Sequence, residues 1–368
     1  MKFFVTGVNG QLGHDVMNEL NKRGHEGIGS DIQEAYSGMD DGTAVTQMPY
    51  VSLDITDQAA VDRVITEINP DVVVHCAAWT AVDMAEDDDK VEKVRAVNAG
   101  GTKNIAEVCR KLDCKMIYLS TDYVFNGQGT EPWQPDCKDY QPLNVYGQTK
   151  LEGELAVSET LEKYFIVRIA WVFGVNGKNF IKTMLNVGKN HDTVRVVNDQ
   201  IGTPTYTYDL ARLLVDMAES DRYGYYHATN EGGYISWYDF TCEIYRQAGY
   251  STKVVPVTTE EYGLSKAARP FNSRLDKKKL VENGFTPLPA YFCNVLRTAC
   301  IYRTYFFHFV IILCHIHSSP CSTVDHNIRI DLCNHAVNRC LICNIKGYVR
   351  HLSNGCSVIH TGIYFLNV

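Results

Sequence analysis

Three glycines near the N-terminus constrain the fold of this chain more than any other feature. Gly7, Gly10 and Gly13 form a G-x-x-G-x-x-G turn between a short apolar run, Lys2 to Thr6, and a segment with helical apolar spacing, His14 to Arg23. The first two glycines permit a tight turn and let backbone N–H groups approach a pyrophosphate, and the third permits close helix–strand packing. This order therefore predicts a dinucleotide-binding unit. A plain glycine turn is the alternative interpretation.

Further apolar runs alternate with helical segments along the chain. Strands are predicted at 27–31, 51–57 (ending in a helix cap at Thr56 or Asp57), 70–78, 115–120 and 164–173, and a helix at 94–112. This alternation is typical of the α/β class, and it predicts a Rossmann-like, doubly wound parallel sheet in residues 1–175, with strand and helix returns around 195–230. Residues 176–290 are predicted to form mainly a smaller C-terminal substrate-binding domain, with helices at 179–189, 208–218 and 236–248.

Asp31 stands 18 residues after Gly13, at the end of the second predicted strand. A carboxylate at this position accepts a hydrogen bond from the adenosine 2′-hydroxyl and repels a 2′-phosphate. No Lys or Arg follows at once, so the sequence favours NADH over NADPH. A solvent-facing turn aspartate is the alternative. Asp54 and Ile55, at the end of the third strand, are expected beside the adenine.

The fourth predicted strand ends in small residues. Ala77 and Ala78 allow a ligand to approach the carboxyl end of the sheet, where ligands bind in open α/β folds. His75 is interpreted as a core histidine, and the acidic run 86–89 as a solvated helix start. Asn98 is expected to hydrogen-bond backbone near the following strand.

The candidate catalytic groups lie between Ser120 and Lys150. Tyr146 and Lys150 are four residues apart and share one face of a helix. An ammonium group near a phenol favours the phenolate and lowers the phenol's pKa from about 10. Thr121 ends the fifth strand, where its hydroxyl is expected to hold the same substrate oxygen. This set predicts protonation of a carbonyl oxygen. A tyrosine and a lysine on an ordinary helix surface are the alternative.

Composition excludes several classes of function. The chain has 368 residues, is 45% hydrophobic, and has a net charge of -8 and a pI near 5.8. The acidic balance argues against nucleic-acid and anionic-membrane binding. The five cysteines before residue 290 are unclustered, as reduced thiols of a cytoplasmic protein are. No metal is expected, and a monomer or homodimer is expected.

Seven segments together resemble the extended short-chain dehydrogenases/reductases, and within them the dTDP-4-dehydrorhamnose reductases. The likeness covers about residues 1–290. The segments are GVNGQLG (7–13), AAWTAVDMAE (77–86), STDYVFNG (120–127), PLNVYGQTK (142–150), RIAWVFG (168–174), NDQIGTPT (198–205) and RPFNSRL (269–275).

The resemblance implies NADH- or NADPH-dependent reduction of the C4 carbonyl of a dTDP-linked 4-keto-6-deoxy sugar, giving dTDP-L-rhamnose. Tyr146 would donate the proton, Lys150 would hold the nicotinamide ribose, and Thr121 would orient the substrate oxygen. The expected cofactor site comprises Gly7, Gly10, Gln11, Leu12, Gly13, Asp31, Asp54, Ile55, Ala77, Ala78, Trp79, Thr80, Asn98, Tyr146 and Lys150. The expected substrate site comprises Thr121, Asp122, Trp171, Arg269 and Arg274, with either arginine as partner of the diphosphate.

Alternatives remain open at this point. Nucleotide-sugar dehydratases of the superfamily have Thr-Asp-Glu at the catalytic strand, whereas this chain has Tyr123 in the third position, which favours simple reduction. Another nucleotide-sugar 4-ketoreductase or epimerase would use the same scaffold. A non-catalytic regulatory subunit, of the kind that accompanies methionine adenosyltransferase, is a third reading. The intact Thr121, Tyr146 and Lys150 favour catalysis.

After Tyr291 the composition changes abruptly. Residues 290–368 hold 8 Cys and 7 His against 2 Asp and no Glu. A zinc site at Cys340 and Cys343, with His335 and Cys333, is one interpretation. Translation beyond the natural end of the gene is favoured, so residues 291–368 are predicted to stand outside the fold and to have no function.

Overall fold

The computed structural model of the protein describes residues 1–39, 43–293 and 295, which lie within one compact unit, Met1–Tyr302. The side chains of residues 44 and 293 are not described. The predictions for the C-terminal tail, including the zinc interpretation, lie outside the described residues from position 296 onward.

The described strands and helices alternate along most of the chain. The strands are β1 (Lys2–Thr6), β2 (Glu26–Asp31), β3 (Tyr50–Ser52), β4 (Val72–His75), β5 (Lys115–Thr121), β6 (Tyr164–Ile169), β7 (Val172–Phe173), β8 (Thr193–Val197), β9 (Ile201–Gly202), β10 (Thr205–Tyr206), β11 (Gly224–His227), β12 (Ile235–Ser236), β13 (Lys253–Val257) and β14 (Asn272–Ser273). The helices are α1 (Gln11–Lys22), α2 (Gln58–Ile68), α3 (Val91–Arg95), α4 (Thr102–Leu112), α5 (Val145–Thr160), α6 (Phe180–Asn190), α7 (Thr207–Ala218), α8 (Trp237–Ala248), α9 (Thr259–Tyr262) and α10 (Lys278–Glu282).

Seven strands form one sheet in the order β11-β6-β5-β4-β1-β2-β3, and every neighbouring pair is parallel. The order reverses direction at β1, as in a doubly wound sheet. Because the strands are parallel, β1, β4 and β5 all end at the same edge. The predicted fold class is confirmed, and this edge holds the residues of the candidate site.

Helices cover both faces of the sheet. On one face α1 and α7 pack through Leu12, Leu20, Leu210 and Leu214 against Phe3 and its neighbours in the strands. On the other face, the core comprises residues of α2, α4 and α5 together with strand residues, among them Val61, Ile65, Ile105, Val157, Phe4 and Ile166. Strands buried on both faces explain the continuous apolar runs in the sequence.

The second half of the chain has smaller sheets and its own apolar cluster. Strands β8 and β13 pair in parallel, and β9 lies between β12 and β14. A cluster that includes Ile181, Phe240 and Ile244 joins α6 to α8. Residues beyond 175 also enter the main sheet and its core, since β11 is the edge strand and α7 covers one face. The division into 1–175 and 176–290 stays a prediction.

Two predicted elements are interrupted. The helix predicted at 94–112 contains a π-helical turn, Ala96–Gly101, between α3 and α4. Gly101 leaves room there for Ile55, whose Cγ1 would lie 2.6 Å from an added Cβ. The strand predicted at 164–173 breaks between β6 and β7, where Trp171 has a left-handed φ of 51°. π-Turns and strained residues both occur often at functional sites.

Candidate active site

The glycine turn has the close contacts that its sequence predicts. Gly7 has a φ of 73°, and a Cβ added to it would lie 2.6 Å from the backbone nitrogen of Ala77. A Cβ on Gly13 would lie 2.4 Å from the Gly7 carbonyl oxygen. Only glycine fits these positions, so α1 starts directly behind the turn and the end of β4 lies beside it.

The N-terminus of α1 suits an anion. Its N-cap is Gly10, which has no side chain to accept from the first-turn N–H groups, and the first turn contains no acidic residue. The N–H groups of Gln11, Leu12 and Gly13 are therefore left for a ligand, and the helix dipole favours a negative one.

Asn176 holds the back of the same turn. It is 3% exposed, and its amide nitrogen donates to the carbonyls of Asn9 and Gly10, both at 2.9 Å. Its oxygen accepts from the Met39 backbone N–H at 2.8 Å. Because Asn176 binds these two carbonyls, the N–H groups of the turn remain available to a ligand on the opposite side. The sequence analysis missed this residue, although Gly174 to Gly177 repeats the letters of Gly7 to Gly10.

Asp31 lies at the end of β2, beside the glycine turn. Its carboxylate accepts from the backbone N–H groups of Asn9 at 3.0 Å and Ile32 at 2.8 Å. These bonds fix the carboxylate at the edge of the sheet, and its remaining lone pairs are available to a hydroxyl. The structure thus places the acid where a ribose would be recognised; the recognition itself stays a prediction.

The two residues predicted beside adenine have different surroundings. Asp54 is exposed, and its carboxylate accepts from the backbone N–H of Thr56 at 2.9 Å. Ile55 is 7% exposed and belongs to the core between the sheet and helices α2, α4 and α5. The predicted helix cap is confirmed as Asp57, which accepts from the Ala60 N–H at 3.0 Å.

Asn98 links the loop after β4 to helix α5. It accepts from the Trp79 backbone N–H at 2.8 Å and donates to the Trp79 carbonyl at 3.2 Å. It also donates to the Thr149 hydroxyl at 3.1 Å, one residue before Lys150. The expected backbone bonds of Asn98 are present, and they orient Trp79. Ala78 is half-buried and Thr80 exposed in the same loop.

The three candidate catalytic residues lie near the end of β5. Thr121 is the last residue of β5, and Tyr146 lies in the first turn of α5. The Thr121 hydroxyl donates to Asp122 at 3.1 Å and lies close enough to Tyr146 to lower the pKa of the phenol. Lys150 follows one turn later and is 3% exposed. The geometry therefore brings together the three residues that the sequence nominated.

Burial, not the lysine, sets the pKa of Tyr146. Burial raises this pKa, the charge of Asp122 and the neighbouring Tyr123 raise it further, and the hydrogen bond with Thr121 lowers it. The predicted lowering of the tyrosine pKa is wrong, because desolvation of the phenolate is the largest effect and Lys150 is not among the groups that shift this pKa. The phenol therefore stays protonated at neutral pH, which is the state that a proton donor needs.

Burial also shifts the pKa values of Lys150 and Asp122. It lowers the pKa of Lys150 to about 7, against the opposing effects of Glu154 and Cys76. The lysine Nζ lies 4.1 Å from the centroid of the Tyr118 ring, and in the described part of the chain it forms no ion pair. Burial raises the pKa of Asp122 to about 6, and its Oδ2 has no hydrogen-bond partner there. Tyr118, a cation–π platform, was missed by the sequence analysis.

The core interpretation of His75 is confirmed. It is 1% exposed, and its ring nitrogens contact the hydroxyls of Thr6 at 2.7 Å and Thr102 at 3.1 Å. Burial lowers its pKa to about 3, so it is neutral and structural.

The acidic run is more than a solvated helix start. Glu86 accepts from the Val145 backbone N–H at 2.7 Å, at the first residue of α5, and Asp87 pairs with Lys266. That part of the prediction is wrong, because long-range partners recruit these two carboxylates, whereas Asp88 and Asp89 remain exposed. Glu86 thus anchors the turn that carries Tyr146.

The predicted substrate residues divide into three groups. Thr121 and Asp122 lie at the centre of the site. Trp171 stacks on Trp237 at a centroid distance of 3.7 Å, in the second half of the chain. Arg269 bonds to Asp83 and Tyr123, and Arg274 donates to Asn272 Oδ1 at 3.0 Å. Their contacts with substrate stay predictions.

Comparison with known proteins identifies the family to which this chain belongs. A family model described as the RmlD substrate binding domain matches residues 1–303. The chain belongs to this family. A dTDP-4-dehydrorhamnose reductase of Streptomyces griseus is 39% identical over 293 residues, which cover 78% of this chain and 89% of the relative.

Solved structures agree with this family membership. A crystal structure of a dTDP-4-dehydrorhamnose reductase from Clostridium acetobutylicum is 40% identical, with a TM-score of 0.72, and the match covers 80% of this chain and 97% of that one. A dTDP-4-dehydrorhamnose reductase from Bacillus anthracis, solved in complex with NADP, is 37% identical with a TM-score of 0.72, over 81% of this chain and 99% of that one.

The described residues contain neither a membrane-spanning helix nor a metal-ligand cluster. No described helix has the length and apolar character needed to cross a bilayer. Among described side chains, no group of three or more His, Cys, Asp or Glu is arranged to hold a metal ion.

Proposed function

We propose that this protein reduces the C4 carbonyl of dTDP-4-dehydro-6-deoxy-L-mannose (dTDP-4-dehydrorhamnose) to give dTDP-L-rhamnose, with NADH or NADPH as reductant. The observation that carries the proposal is the placement of Thr121, the last residue of β5, close enough to Tyr146 in the first turn of α5 to lower its pKa, with Lys150 one helical turn later. Relatives with 39% and 36% identity are dTDP-4-dehydrorhamnose reductases.

The residues present fit a nicotinamide dinucleotide. Gly7 and Gly13 let the turn pack closely against the end of β4 and the start of α1, where any side chain would collide with backbone, and the uncapped N–H groups of Gln11 and Leu12 suit the pyrophosphate. Asp31 would bind the adenosine ribose, and Lys150 the nicotinamide ribose. When bound, the reduced nicotinamide supplies the hydride.

The chain's own residues manage the proton. Tyr146 holds it on the phenol oxygen, since burial raises the tyrosine pKa, and transfers it to the sugar oxygen as negative charge develops there. Thr121 positions that oxygen through its hydroxyl. Lys150, when protonated, stabilises the phenolate that remains. Asp122 is 2% exposed and adjacent, so it disfavours any phenolate before the substrate arrives.

Asp31 supports a preference for NADH. Its carboxylate is fixed by two backbone N–H groups, and a 2′-phosphate at the same place would meet a negative charge. The relative solved with NADP indicates that the family also takes the phosphorylated cofactor. Asp31→Ala should therefore improve the NADPH-to-NADH ratio of kcat/KM by about 10-fold, since one close like-charge contact contributes about 1–2 kcal/mol.

The decisive assay measures NADH oxidation with a panel of 4-keto nucleotide sugars, in wild type and in Tyr146→Phe. We expect turnover of the dTDP-4-keto-6-deoxy sugar, and a loss of at least about 100-fold in kcat for the variant. If a different nucleotide sugar is turned over instead, that sugar is the substrate and the proposed one is rejected. No difference between the two proteins would favour a non-catalytic regulatory subunit. The cytoplasmic location and the monomeric or dimeric state stay predictions.

A further inference from the structure

Arg269 lies in a segment that crosses the site. Residues 265–271, here named the strap, connect α9 to β14. The strap is tied to the first half of the chain: the Ala267 N–H donates to Asp83 at 3.1 Å, and Asn144, the N-cap of α5, donates to the Ala268 carbonyl at 2.8 Å. Asn144 precedes the turn that carries Tyr146, so the strap and the catalytic helix share an anchor.

The guanidinium of Arg269 has protein partners on both terminal nitrogens. One donates to the Asp83 carboxylate at 2.6 Å, and the other donates to the Tyr123 hydroxyl at 3.2 Å. The side chain is 25% exposed and that of Asp83 is 46% exposed. Such a half-exposed ion pair contributes only about 0–1 kcal/mol to stability. Its structural consequence lies at Tyr123 instead.

Tyr123 is the ring against which Tyr146 rests. The two rings meet edge to face, with centroids 5.6 Å apart and planes at 81°. The backbone of Tyr123 is fixed as well, because a Cβ on Gly147 would lie 2.3 Å from the Tyr123 carbonyl oxygen. Arg269 therefore holds the far end of a ring whose near side sets the orientation of the proton donor.

We propose that Arg269 is a positioning residue, which fixes Tyr123 against Tyr146 while Asp83 fixes Arg269, and that it does not bind the substrate diphosphate. The inference rests on the proposed function, in which Tyr146 donates the proton. A displacement of about 1 Å in a reacting group costs up to about 100-fold in rate, so a positioning role should appear in kcat. A diphosphate-binding role should appear in affinity.

The test compares Arg269→Met with Lys266→Met. Lys266 belongs to the same strap and pairs with Asp87 in the first half of the chain. Lys266→Met therefore removes one anchor of the strap and leaves the contact between Arg269 and Tyr123 intact. For Arg269→Met we expect kcat to fall about 10-fold, and the calorimetric Kd of dTDP to change less than about 2-fold. For Lys266→Met we expect both to match wild type. A weakened Kd for dTDP with unchanged kcat would overturn the inference, and so would equal kcat in the two variants.

Two further variants test whether Arg269 acts through its contact with Tyr123. Arg269→Lys retains the charge and reaches one of the two partners, so kcat should lie between those of wild type and Arg269→Met. Tyr123→Phe removes the hydroxyl, and adding Arg269→Met to it should lower kcat little further, because the two changes break one interaction. Full additivity would contradict the proposal.

A readout independent of turnover separates this inference from the proposed function. Fluorotyrosine placed at position 146 reports the surroundings of the ring by fluorine NMR. Its signal should shift in Arg269→Met and remain in place in Lys266→Met; an unmoved signal in both would reject the positioning role. Absence of wild-type turnover with every keto sugar would instead reject the function.

Discussion

Helix α5 buries two charged side chains one turn apart, and their surroundings differ sharply. Glu154 is fully buried and accepts from Arg168 at 2.8 and 2.7 Å. Arg168, also fully buried, donates further to the Pro135 carbonyl and the Tyr140 hydroxyl, both at 3.1 Å. Lys150, at 3% exposure, forms no ion pair among the described residues; its Nζ lies over the Tyr118 ring, and Glu154 acts on its charge without a hydrogen bond between them.

The difference separates a structural charge from a reactive one. A buried ion pair with complete hydrogen bonds fixes one arrangement of its neighbours, here α5 against β6. A buried ammonium without a hydrogen-bonded carboxylate lowers the stability of the fold, and so does the buried Asp122 carboxylate beside Tyr146. Natural sequences retain such costs mainly at functional sites, because binding and chemistry use them.

The largest effect is expected from breaking the structural pair. Glu154→Gln leaves a buried guanidinium without its counter-charge, so the free energy of unfolding should fall by about 3–5 kcal/mol. The matched control is Glu152→Gln on the same helix. Glu152 pairs with Arg95 at the surface, and its loss should change stability by less than about 1 kcal/mol. Denaturant unfolding measures both, and equal losses would contradict the comparison.

Removing the reactive charge should have the opposite sign. The folded-state pKa of Lys150 is lowered from 10.5 to about 7, so the lysine destabilises the fold fully below pH 7 and less as pH rises toward 10.5. This pKa difference corresponds to at most about 5 kcal/mol, and loss of the contact with the Tyr118 ring offsets part of it, so Lys150→Met should raise the free energy of unfolding by about 3 kcal/mol at or below neutral pH. It should also abolish most activity. Thermal unfolding measured at two pH values decides this, and a destabilised variant would contradict it.

Asp122 should show a smaller gain in the opposite pH window. Its folded-state pKa is raised from 3.8 to about 6, so it destabilises the fold fully above pH 6 and not below pH 3.8. Asp122→Asn should therefore stabilise by about 2 kcal/mol at neutral pH, and the gain should vanish as pH falls through this window. A gain that persists in acid would show that the carboxylate charge is not its cause.

The smallest expected effect is the pH dependence of the wild-type enzyme. Lys150 loses its proton near pH 7, and in the proposed mechanism its ammonium stabilises the phenolate left on Tyr146. The value of kcat/KM should therefore decline about 10-fold for each pH unit above the apparent pKa, once the decline is established. A flat profile from neutral to mildly alkaline pH would mean that the lysine charge does not matter to the free enzyme.

The sequence correctly predicted those features of the site that depend only on neighbouring residues. The strand–turn–helix at Gly7 to Gly13 depends on backbone sterics, and the pairing of Tyr146 with Lys150 depends on helix periodicity. These features need no knowledge of the rest of the chain, and they led to the correct fold class and the trio at the end of β5.

Residues that act across the fold were missed. Glu86 reaches Val145 over 59 positions, and Asn176 reaches Asn9 over 167. Arg269 was predicted as one of two possible partners of the diphosphate, which stays a prediction; nothing in the sequence indicated that the fold brings Asp83 to it over 186 positions. The pKa of Tyr146 was misjudged for the same reason: burial is a property of the assembled site.

The two hydrogen bonds that Asn176 donates to backbone carbonyls have a practical consequence for anyone who divides this chain into fragments. A fragment ending at residue 175 would carry every letter of the dinucleotide fingerprint and still lack the amide that braces its loop from behind. Nucleotide affinity in this chain is therefore shared between segments far apart in the gene, and fingerprint letters alone understate how much polypeptide a working cofactor cradle requires.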